Sequence, residues 1–211
     1  MSHNGFLQGD VLSKEQLFDA LYEMQVFRMG EYYLKSGQMT PIYIDLRRII
    51  SRPKTLHMAA QALCNSITAM DLKFDCVVGV PYAALPLATH VSAILDVPML
   101  MKRKETKSYG TKQTIEGVFI PGNTALLIED VVTSGDSIRE TAEALREEGL
   151  KVTHAIAVLD RQQGATEKLS GANIDFLSVL TMDMILDGMI SKNEITAQRK
   201  QEIIDHLKAP F

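Results

Sequence analysis

The chain contains no tryptophan and only two cysteines among its 211 residues. These cysteines, Cys64 and Cys76, are not closely spaced and have no flanking metal ligands, so neither a disulfide framework nor a zinc site is indicated. The five histidines also occur singly. We therefore expect two buried, reduced thiols and no zinc centre.

Long apolar runs and an excess of positive charge are missing as well. No segment approaches the roughly 18 consecutive apolar residues of a membrane span, and the N-terminus lacks the pattern of a signal peptide. The formal net charge is −4 and the pI is about 5.7, which does not suggest nucleic acid or an anionic membrane surface as a partner. These absences predict a cytoplasmic protein that acts on neither membranes nor nucleic acids.

Three common motifs are absent: the loop G-x-x-x-x-G-K-[ST], a G-x-G-x-x-G turn after a strand, and a G-x-S-x-G nucleophile elbow. The chain instead alternates strand-like and helical patterns. Apolar runs without polar alternation predict strands buried on both faces at 76–80, 98–102, 125–132, 152–159 and 175–180, with helices at about 84–95, 137–148 and 181–189. The pattern predicts an α/β fold with an open, doubly wound, mostly parallel sheet.

The N-terminal segment, residues about 10–48, is predicted to form a small lobe over this sheet, called the hood below. It would comprise a helix that starts after Ser13 and a β-hairpin at 27–47. Further helices are predicted at 51–70 and 194–207. With 46% hydrophobic and 23% charged residues, no repeat and no low-complexity linker, residues 1–211 are predicted to form one domain.

The most informative segment is 124–139, TALLIEDVVTSGDSIR. An apolar strand reaches Glu129 and Asp130 and then turns through small residues into a helix. Such a loop directs backbone N–H groups and the positive end of the helix dipole at one point, where a phosphate fits. The carboxylates can accept hydrogen bonds from sugar hydroxyls or help to hold a magnesium ion that arrives on the substrate. The alternative is a generic turn, with Ser134 or Asp136 as the helix N-cap.

Two other loops follow predicted strands. The loop 79–85, GVPYAAL, leads into a helix and can hold a diphosphate through its N–H groups, unless it is a plain strand-to-helix turn. The segment 102–112 has five cations in eleven residues. Such runs are usually solvated surface, but this one follows a strand at the expected phosphate edge. It therefore predicts a mobile lid that neutralises a polyanion.

The remaining candidates concern a ring-shaped ligand. Arg161, in the segment LDRQQG, has a planar set of donors suited to a carboxylate or a pyrimidine carbonyl edge, or it is a surface arginine in a turn. In the hood, Lys35 and Tyr43 could bind a flat anionic ring by charge and stacking. Tyr43 could equally be a core residue.

Together these segments resemble the orotate phosphoribosyltransferases of the type I phosphoribosyltransferase family, most closely the N-terminal domain of animal bifunctional UMP synthase. The similar stretches, within residues of about 25–165, are LKSG, TPIYIDLRRIISRP, VGVPYAALPLAT, KRKETKSYGTK, IEDVVTSGDSI and LDRQQG. The resemblance implies transfer of the 5-phosphoribosyl group from phosphoribosyl diphosphate (PRPP) to N1 of orotate. The products would be orotidine 5′-monophosphate and diphosphate, and the implied cofactor is Mg²⁺.

The resemblance also implies roles for individual residues. The phosphate and ribose of PRPP are expected at Glu129, Asp130, Val132, Thr133, Ser134, Gly135, Asp136 and Ser137. The diphosphate is expected at Tyr82, Ala83, Arg103, Lys104, Lys107 and Tyr109. Orotate is expected at Lys35, Tyr43, Ile44, Thr133 and Arg161. The implied catalytic residues are Lys104, Lys107 and Asp130. Mg²⁺ is expected to be held mainly through PRPP, with Asp130 as the candidate protein ligand.

A homodimer is implied as well, with the basic segment acting in the neighbouring subunit's site, and a fused orotidylate decarboxylase domain in the full protein is left open. Ala83 stands where many bacterial members have lysine, and Tyr109 where they have histidine. One alternative is another PRPP-dependent base phosphoribosyltransferase, for purines or uracil, against which LKSG and Arg161 argue. The other is a non-catalytic PRPP-sensing protein, against which the net charge of −4 and the presence of Lys104 and Lys107 argue.

Overall fold

The computed structural model describes residues 13–33, 39–103 and 114–208. The helices are α1 (Lys14–Glu23), α2 (Pro53–Ala69), α3 (Leu85–Leu95), α4 (Asp136–Glu147), α5 (Ala165–Ser170), α6 (Met182–Ser191) and α7 (Ala197–Lys208), with a 3-10 helix at Leu46–Ser51. The strands are β1 (Phe27–Tyr33), β2 (Met39–Ile44), β3 (Cys76–Gly79), β4 (Met99–Lys102), β5 (Ile115–Glu116), β6 (Thr124–Val132), β7 (Lys151–Asp160) and β8 (Asp175–Thr181).

The main sheet has six strands in the order β5-β4-β3-β6-β7-β8. All neighbouring pairs are parallel except β4 and the short edge strand β5. From β3 the chain adds β4 on one side, whereas β6, β7 and β8 extend the sheet on the other side. The strand order therefore reverses between β3 and β6, which is where open α/β sheets bind their ligands, outside the carboxyl ends of the strands. The predicted mostly parallel α/β fold is confirmed.

Two hydrophobic cores cover the two faces of this sheet. Side chains alternate between them along each strand, so that Val77 and Leu126 join the core formed with α1, α2, α3, α6 and α7, while Val78 and Leu127 join the core formed with α4 and α5. Burial on both faces explains why the strands lack the polar alternation of a half-exposed sheet.

The described part of the hood consists of α1 and an antiparallel hairpin of β1 and β2, which form a separate two-stranded sheet. Ser13 caps α1 in a reciprocal capping box with Gln16, as the sequence predicted. Phe27 and Ile42 of the hairpin are buried in the same core as α2. The hood is therefore packed onto the helical layer of the sheet.

Three elements were not predicted: α5, with six residues, β5, with two, and the 3-10 helix before α2. Helices and strands this short contain too few residues for a hydrophobic period to be recognised. The last helix also begins at Ala197, later than the predicted 194. Within the described ranges, no helix is both long enough and apolar enough to span a bilayer.

Both cysteine thiols are free and buried, as expected. Burial raises the pKa of Cys64 to about 11, and burial with a smaller contribution from the charge of Asp75 raises the pKa of Cys76 to about 11. Neither thiol is ionised at neutral pH, so neither is a reactive nucleophile.

Candidate active site

The carboxyl end of β6 presents the two acids of the central motif. The side chain of Glu129 is buried, with 7% of the residue exposed, whereas Asp130 is half-buried. Burial is the main cause that raises the pKa of the Glu129 carboxyl well above its usual range, and the hydrogen bond and charge of Asp130 add to it. Oε1 of Glu129 accepts a hydrogen bond from the backbone N–H of Asp130 at 2.9 Å. A buried carboxyl group therefore stands beside a more accessible one.

The loop after β6 surrounds a cavity of about 110 Å³, lined by Glu129, Val131, Val132, Thr133, Ser134, Gly135, Asp136, Ser137 and Ile138. Gly135 has a φ of +81°, and a Cβ atom there would lie 3.0 Å from Cγ of Leu169, so the turn requires glycine. A cavity of this size can hold a few water molecules or one phosphate group, but not a nucleotide. We refer to this loop and its cavity as the phosphate cradle.

The alternative in which Ser134 or Asp136 caps the helix is wrong. Gly135 is the N-cap residue of α4, and no side chain makes a capping hydrogen bond there. Within the part of the chain that the structure describes, the first N–H groups of α4 thus receive no side-chain cap, which is the arrangement that suits an anion.

Asp136 has its own partners at the rim of the phosphate cradle. Its Oδ2 accepts a hydrogen bond from Oγ of Ser134 at 2.7 Å, its Oδ1 pairs with Nζ of Lys168, and Nη2 of Arg139 lies 3.6 Å from Oδ1. The hydrogen bond from Lys168, followed by that from Ser134, lowers the pKa of the Asp136 carboxyl. Lys168 belongs to α5 and was not among the predicted site residues, because nothing in its sequence context connects it with this loop.

The loop after β3 lies beside the phosphate cradle, because β3 and β6 are paired strands. Its backbone packs closely against the start of α3: a Cβ atom on Gly79 would lie 3.0 Å from both Cα of Leu85 and Cβ of Ala88. The peptide bond between Pro81 and Tyr82 is cis. Tyr82 is 59% exposed and Ala83 is half-buried. The predicted diphosphate loop therefore has a closely fixed base and an exposed tyrosine at its tip.

Gly79→Ala is expected to destabilise the protein by about 1–3 kcal/mol, because a methyl group at 3.0 Å from the Leu85 backbone forces β3 and α3 apart. Since this loop is the expected diphosphate site, the KM for PRPP should rise several-fold as well. Urea unfolding and steady-state kinetics measure the two effects. Gly171→Ala is the matched control, because its nearest neighbours would lie at an ordinary 3.4 Å. Equal behaviour of the two variants would contradict the tight packing at Gly79.

The basic segment starts at the end of β4. Nη1 of Arg103 forms a 2.7 Å ion pair with Oε1 of Glu116, and the backbone N–H of Arg103 donates to the carbonyl of Thr114 at 2.9 Å. These contacts join Arg103 to Thr114 and Glu116 at the sheet edge. Arg103 is thus paired with a carboxylate in the structure. Lys104, Lys107 and Tyr109, the other predicted diphosphate ligands of this segment, lie outside the described residues.

Arg161 lies directly after β7 and is not the surface arginine that its polar neighbours suggested. It is 7% exposed, and burial lowers the pKa of its guanidinium. Nη2 donates to Oγ1 of Thr40 on β2 at a long 3.4 Å, and, among the described residues, buried Nε has no hydrogen-bond partner. A buried cation with unfilled donors is a strong candidate for binding an anionic ligand.

The contact with Thr40 places Arg161 next to the hood strand that carries Tyr43 and Ile44. Both of these residues are half-buried. The Tyr43 ring packs on Tyr32 with centroids 5.2 Å apart, and its hydroxyl accepts a hydrogen bond from Nη2 of Arg47 at 2.9 Å. Tyr43 is therefore neither a fully buried core residue nor a free one. Lys35, the remaining predicted orotate residue of the hood, lies outside the described ranges.

Helix α7 connects the hood to the turn that contains Arg161. This connection was not predicted from the sequence. Nε2 of His206 lies 2.8 Å from the carbonyl oxygen of Met39 at the start of β2. Nε2 of Gln163 donates to the carbonyl of Leu207 at 3.1 Å. The end of α7 thus supports both sides of the region where Arg161 meets β2.

No group of three or more His, Cys, Asp or Glu side chains is arranged to hold a metal ion in residues 13–33, 39–103 and 114–208. Glu129 and Asp130 are the paired acids nearest the phosphate cradle. Mg²⁺ is commonly held by one or two carboxylates together with oxygens of a bound substrate.

Comparison with known proteins agrees with this geometry. A family model described as the phosphoribosyl transferase domain matches residues 50–185, which include β3, the phosphate cradle and Arg161. The orotate phosphoribosyltransferase of Caenorhabditis elegans is 70% identical over 200 residues, covering 95% of this chain and 88% of that protein. The uridine 5′-monophosphate synthase of Bos taurus is 47% identical over 187 residues, which cover 89% of this chain but 39% of the synthase.

Solved structures similar to this chain likewise include a UMP synthase and an orotate phosphoribosyltransferase. UMP synthase of Leishmania donovani superimposes with a TM-score of 0.81 at 34% identity, over 92% of this chain and 42% of that one. Orotate phosphoribosyltransferase of Aeropyrum pernix superimposes with a TM-score of 0.74 at 30% identity, over 83% of this chain and 98% of that one.

The fold, with its phosphate cradle at the switch point of the sheet, is that of a type I phosphoribosyltransferase. Both UMP synthase relatives are more than twice as long as the region that they share with this chain. Within the class, the chain belongs to the orotate phosphoribosyltransferases.

Proposed function

We propose that this protein transfers the 5-phosphoribosyl group of PRPP to N1 of orotate, giving orotidine 5′-monophosphate and diphosphate in pyrimidine nucleotide synthesis. It is thereby a glycosyltransferase of the pentosyl-transferring kind. The family assignment supports the reaction. The phosphate cradle and the adjacent acids Glu129 and Asp130 support a sugar phosphate as one of the two substrates.

The observation that carries the choice of base is the buried guanidinium of Arg161. A cation in a nonpolar environment is unfavourable unless it is paired, and this one has a single long hydrogen bond to Thr40 and an unpartnered Nε among the described residues. Orotate, unlike uracil or a purine base, carries a carboxylate. This group can neutralise the charge of Arg161 and accept a hydrogen bond from its Nε. We place that carboxylate at Arg161, with the pyrimidine ring between Tyr43, Ile44 and Thr133 and with Lys35 contributing from the hood.

In this arrangement the 5′-phosphate binds the N–H groups of the loop from Thr133 to Ser137 and the hydroxyls of Thr133 and Ser137, while the hydroxyl of Ser134 stays bonded to Asp136. The ribose hydroxyls donate hydrogen bonds to Glu129 and Asp130. The diphosphate lies against the backbone of Tyr82 and Ala83 and is covered by the basic segment, with Arg103, Lys104, Lys107 and Tyr109. The sugar thus spans the gap between the loops that follow β6 and β3, which are neighbours in the sheet.

The chemistry requires little acid–base assistance from the protein. Orotate is an anion through its carboxylate, and N1 carries a proton at neutral pH. That proton leaves as the bond from N1 to C1′ of the ribose forms and passes to the departing diphosphate, so no strong general base from the protein is invoked. The demand is to stabilise a ribosyl group with developing positive charge and a departing diphosphate with developing negative charge. The carboxylates of Glu129 and Asp130 suit the first, and the cations Lys104 and Lys107 suit the second.

Mg²⁺ is proposed as the cofactor, bound mainly through oxygens of PRPP. The residues present fit this role: Asp130 is half-buried at the end of β6, and Mg²⁺ is commonly held by one or two carboxylates together with substrate phosphates. When bound, the ion supplies charge neutralisation for the diphosphate. Asp130 would orient it relative to the ribose.

Further features follow from the family assignment as proposals. The active form is a homodimer in which the basic segment reaches the neighbouring subunit's site, and the protein acts in the cytoplasm. One domain, with the hood as part of it, is supported by the shared core that includes Phe27, Ile42 and α2. A fused orotidylate decarboxylase domain in the full protein is a further proposal, which the match to part of two UMP synthases supports.

The proposed activity is tested by following the loss of orotate absorbance with PRPP and Mg²⁺, beside parallel reactions with uracil and hypoxanthine. We expect turnover of orotate and of neither other base. Removal of Mg²⁺ by a chelator should abolish this turnover. Turnover of hypoxanthine or uracil in preference to orotate would replace the proposed base. Binding of PRPP without turnover of any base would instead indicate a sensing protein.

A further inference from the structure

The rim of the phosphate cradle carries a negative charge that opposes its proposed ligand. Asp136 lines the cavity and is the first residue of α4. Its lowered pKa keeps the carboxylate ionised at neutral pH. An acid in the first turn stabilises the helix through its dipole, but beside a bound phosphate it adds repulsion. The cradle therefore needs a compensating cation.

Lys168 meets that need from a different part of the chain. Its Nζ pairs with Oδ1 of Asp136, and the next residue, Leu169, is fully buried against Gly135. The packing of Leu169 fixes α5 against the phosphate cradle, so Lys168 is held where its charge offsets that of Asp136. Asp136 also contacts two other described residues: the hydroxyl of Ser134 and, at 3.6 Å, the guanidinium of Arg139.

We propose that Lys168 is a positioning residue for PRPP that acts through Asp136. It neutralises the carboxylate at the rim of the cradle and keeps Asp136 bonded to Ser134, so that the loop presents its backbone N–H groups to the 5′-phosphate. The inference depends on the proposed function only in that the ligand is a phosphoribosyl compound. The base that accepts the sugar does not enter it.

The test is equilibrium binding of PRPP with Mg²⁺, in the absence of any base, to four forms of the protein. Lys168→Met should weaken binding about tenfold, since it leaves only the more distant Arg139 to offset the charge of Asp136 beside the phosphate. Asp136→Ser should tighten binding about threefold because the opposing charge is gone. The double variant should bind more tightly than Lys168→Met and return to within about threefold of the parent. The loss in Lys168→Met should also shrink in high salt.

Lys192→Met is the matched control, because Lys192 is 40% exposed against 42% for Lys168 and forms an ion pair with Asp19 away from the cradle. It should leave PRPP binding unchanged. Lys168→Arg keeps the charge and should bind PRPP like the parent. This result would show that the loss in Lys168→Met comes from the missing charge and not from misfolding. Rescue by Asp136→Ser is a result that a purely structural role for Lys168 would not give.

Two results would overturn the inference: unchanged binding in Lys168→Met, or a double variant as weak as Lys168→Met, since the second would mean that Lys168 contacts the phosphate directly. Neither result bears on the reaction itself. Turnover of orotate by the parent protein decides the proposed function separately, and a preference for another base would leave the four PRPP titrations fully interpretable.

Discussion

Replacing Arg161 by alanine is expected to raise the KM for orotate about 100-fold while changing the KM for PRPP by less than about threefold. Each charge-assisted hydrogen bond contributes about 1.5–3 kcal/mol, and two such bonds to the orotate carboxylate correspond to a factor of about 100 or more. Arg161 is 7% exposed, so water cannot replace those bonds as it does at a surface. Steady-state kinetics with each substrate varied in turn gives both constants.

Uracil lacks the carboxylate of orotate, so a comparison of the two bases measures the contribution of the carboxylate separately from that of the ring. If Arg161 binds the carboxylate, Arg161→Ala should lose most of the preference of the parent enzyme for orotate over uracil. Arg161→Lys keeps the charge but not the planar pair of donors, and should fall between the parent and alanine. A loss of equal size for orotate and uracil would contradict the assignment and place Arg161 at a ring carbonyl or in support of the hood strand through Thr40.

Stability distinguishes a binding defect from a folding defect in the same variant. Burial lowers the pKa of Arg161, which means that the folded protein holds this charge at some energetic cost. Arg161→Ala should therefore keep the urea midpoint of the parent or exceed it. Arg199→Ala serves as a control, because Arg199 lies on α7 and pairs with Glu202 at an exposed site.

The sequence was sufficient for the features that depend on neighbours along the chain. Strands such as β6 are buried on both faces, and this burial appears directly as an uninterrupted apolar run. The phosphate cradle was also predictable, since a glycine with φ of +81° and small flanking residues belong to one short segment between a strand and a helix. Each of these features depends on residues that are close together in the chain, so a short stretch of sequence is enough to recognise it.

The features that the sequence did not show depend on contacts between distant segments. Arg161 is buried because β2 reaches it through Thr40, a residue 121 positions away, and a polar stretch such as RQQG gives no sign of this packing. Lys168 reaches Asp136 only because α5 folds back onto the phosphate cradle, and a helix of six residues shows no period that would orient it. In both cases the chemistry of the side chain was visible, but its partner was not.

Replacing Glu129 by glutamine is expected to lower kcat/KM for PRPP about 100-fold while making the free protein more stable. The loss arises because the carboxylate is proposed to accept hydrogen bonds from two ribose hydroxyls, each worth about 1.5–3 kcal/mol when the acceptor is charged. The gain arises because Glu129 is 7% exposed and glutamine removes the ionisable group that burial disfavours.

The sign of the pH dependence follows from the raised pKa of Glu129. In the unfolded chain a glutamate has a pKa of about 4.3, so between that value and the raised pKa the folded protein holds a proton that the unfolded chain has released. The contribution of Glu129 to stability is fully present below about pH 4.3 and is lost as the pH rises through the folded pKa. At neutral pH the Glu129→Gln protein should thus be more stable than the parent.

Urea unfolding of both proteins from pH 4 to pH 8 checks this difference, which should grow with pH and then level off. Burial raises the pKa of Asp160 as well. Because Asp160 is present in both proteins, its contribution to the pH dependence cancels in the difference between them. Calorimetric titration in buffers of different ionisation enthalpy should show that binding of PRPP with Mg²⁺ releases more protons from the parent than from Glu129→Gln, because the pKa of Glu129 is raised in the free protein. Glu143→Gln, at an exposed position on α4, should behave like the parent. Equal stability of Glu129→Gln and the parent at all pH values would show that the carboxylate is not held at a cost before the sugar binds.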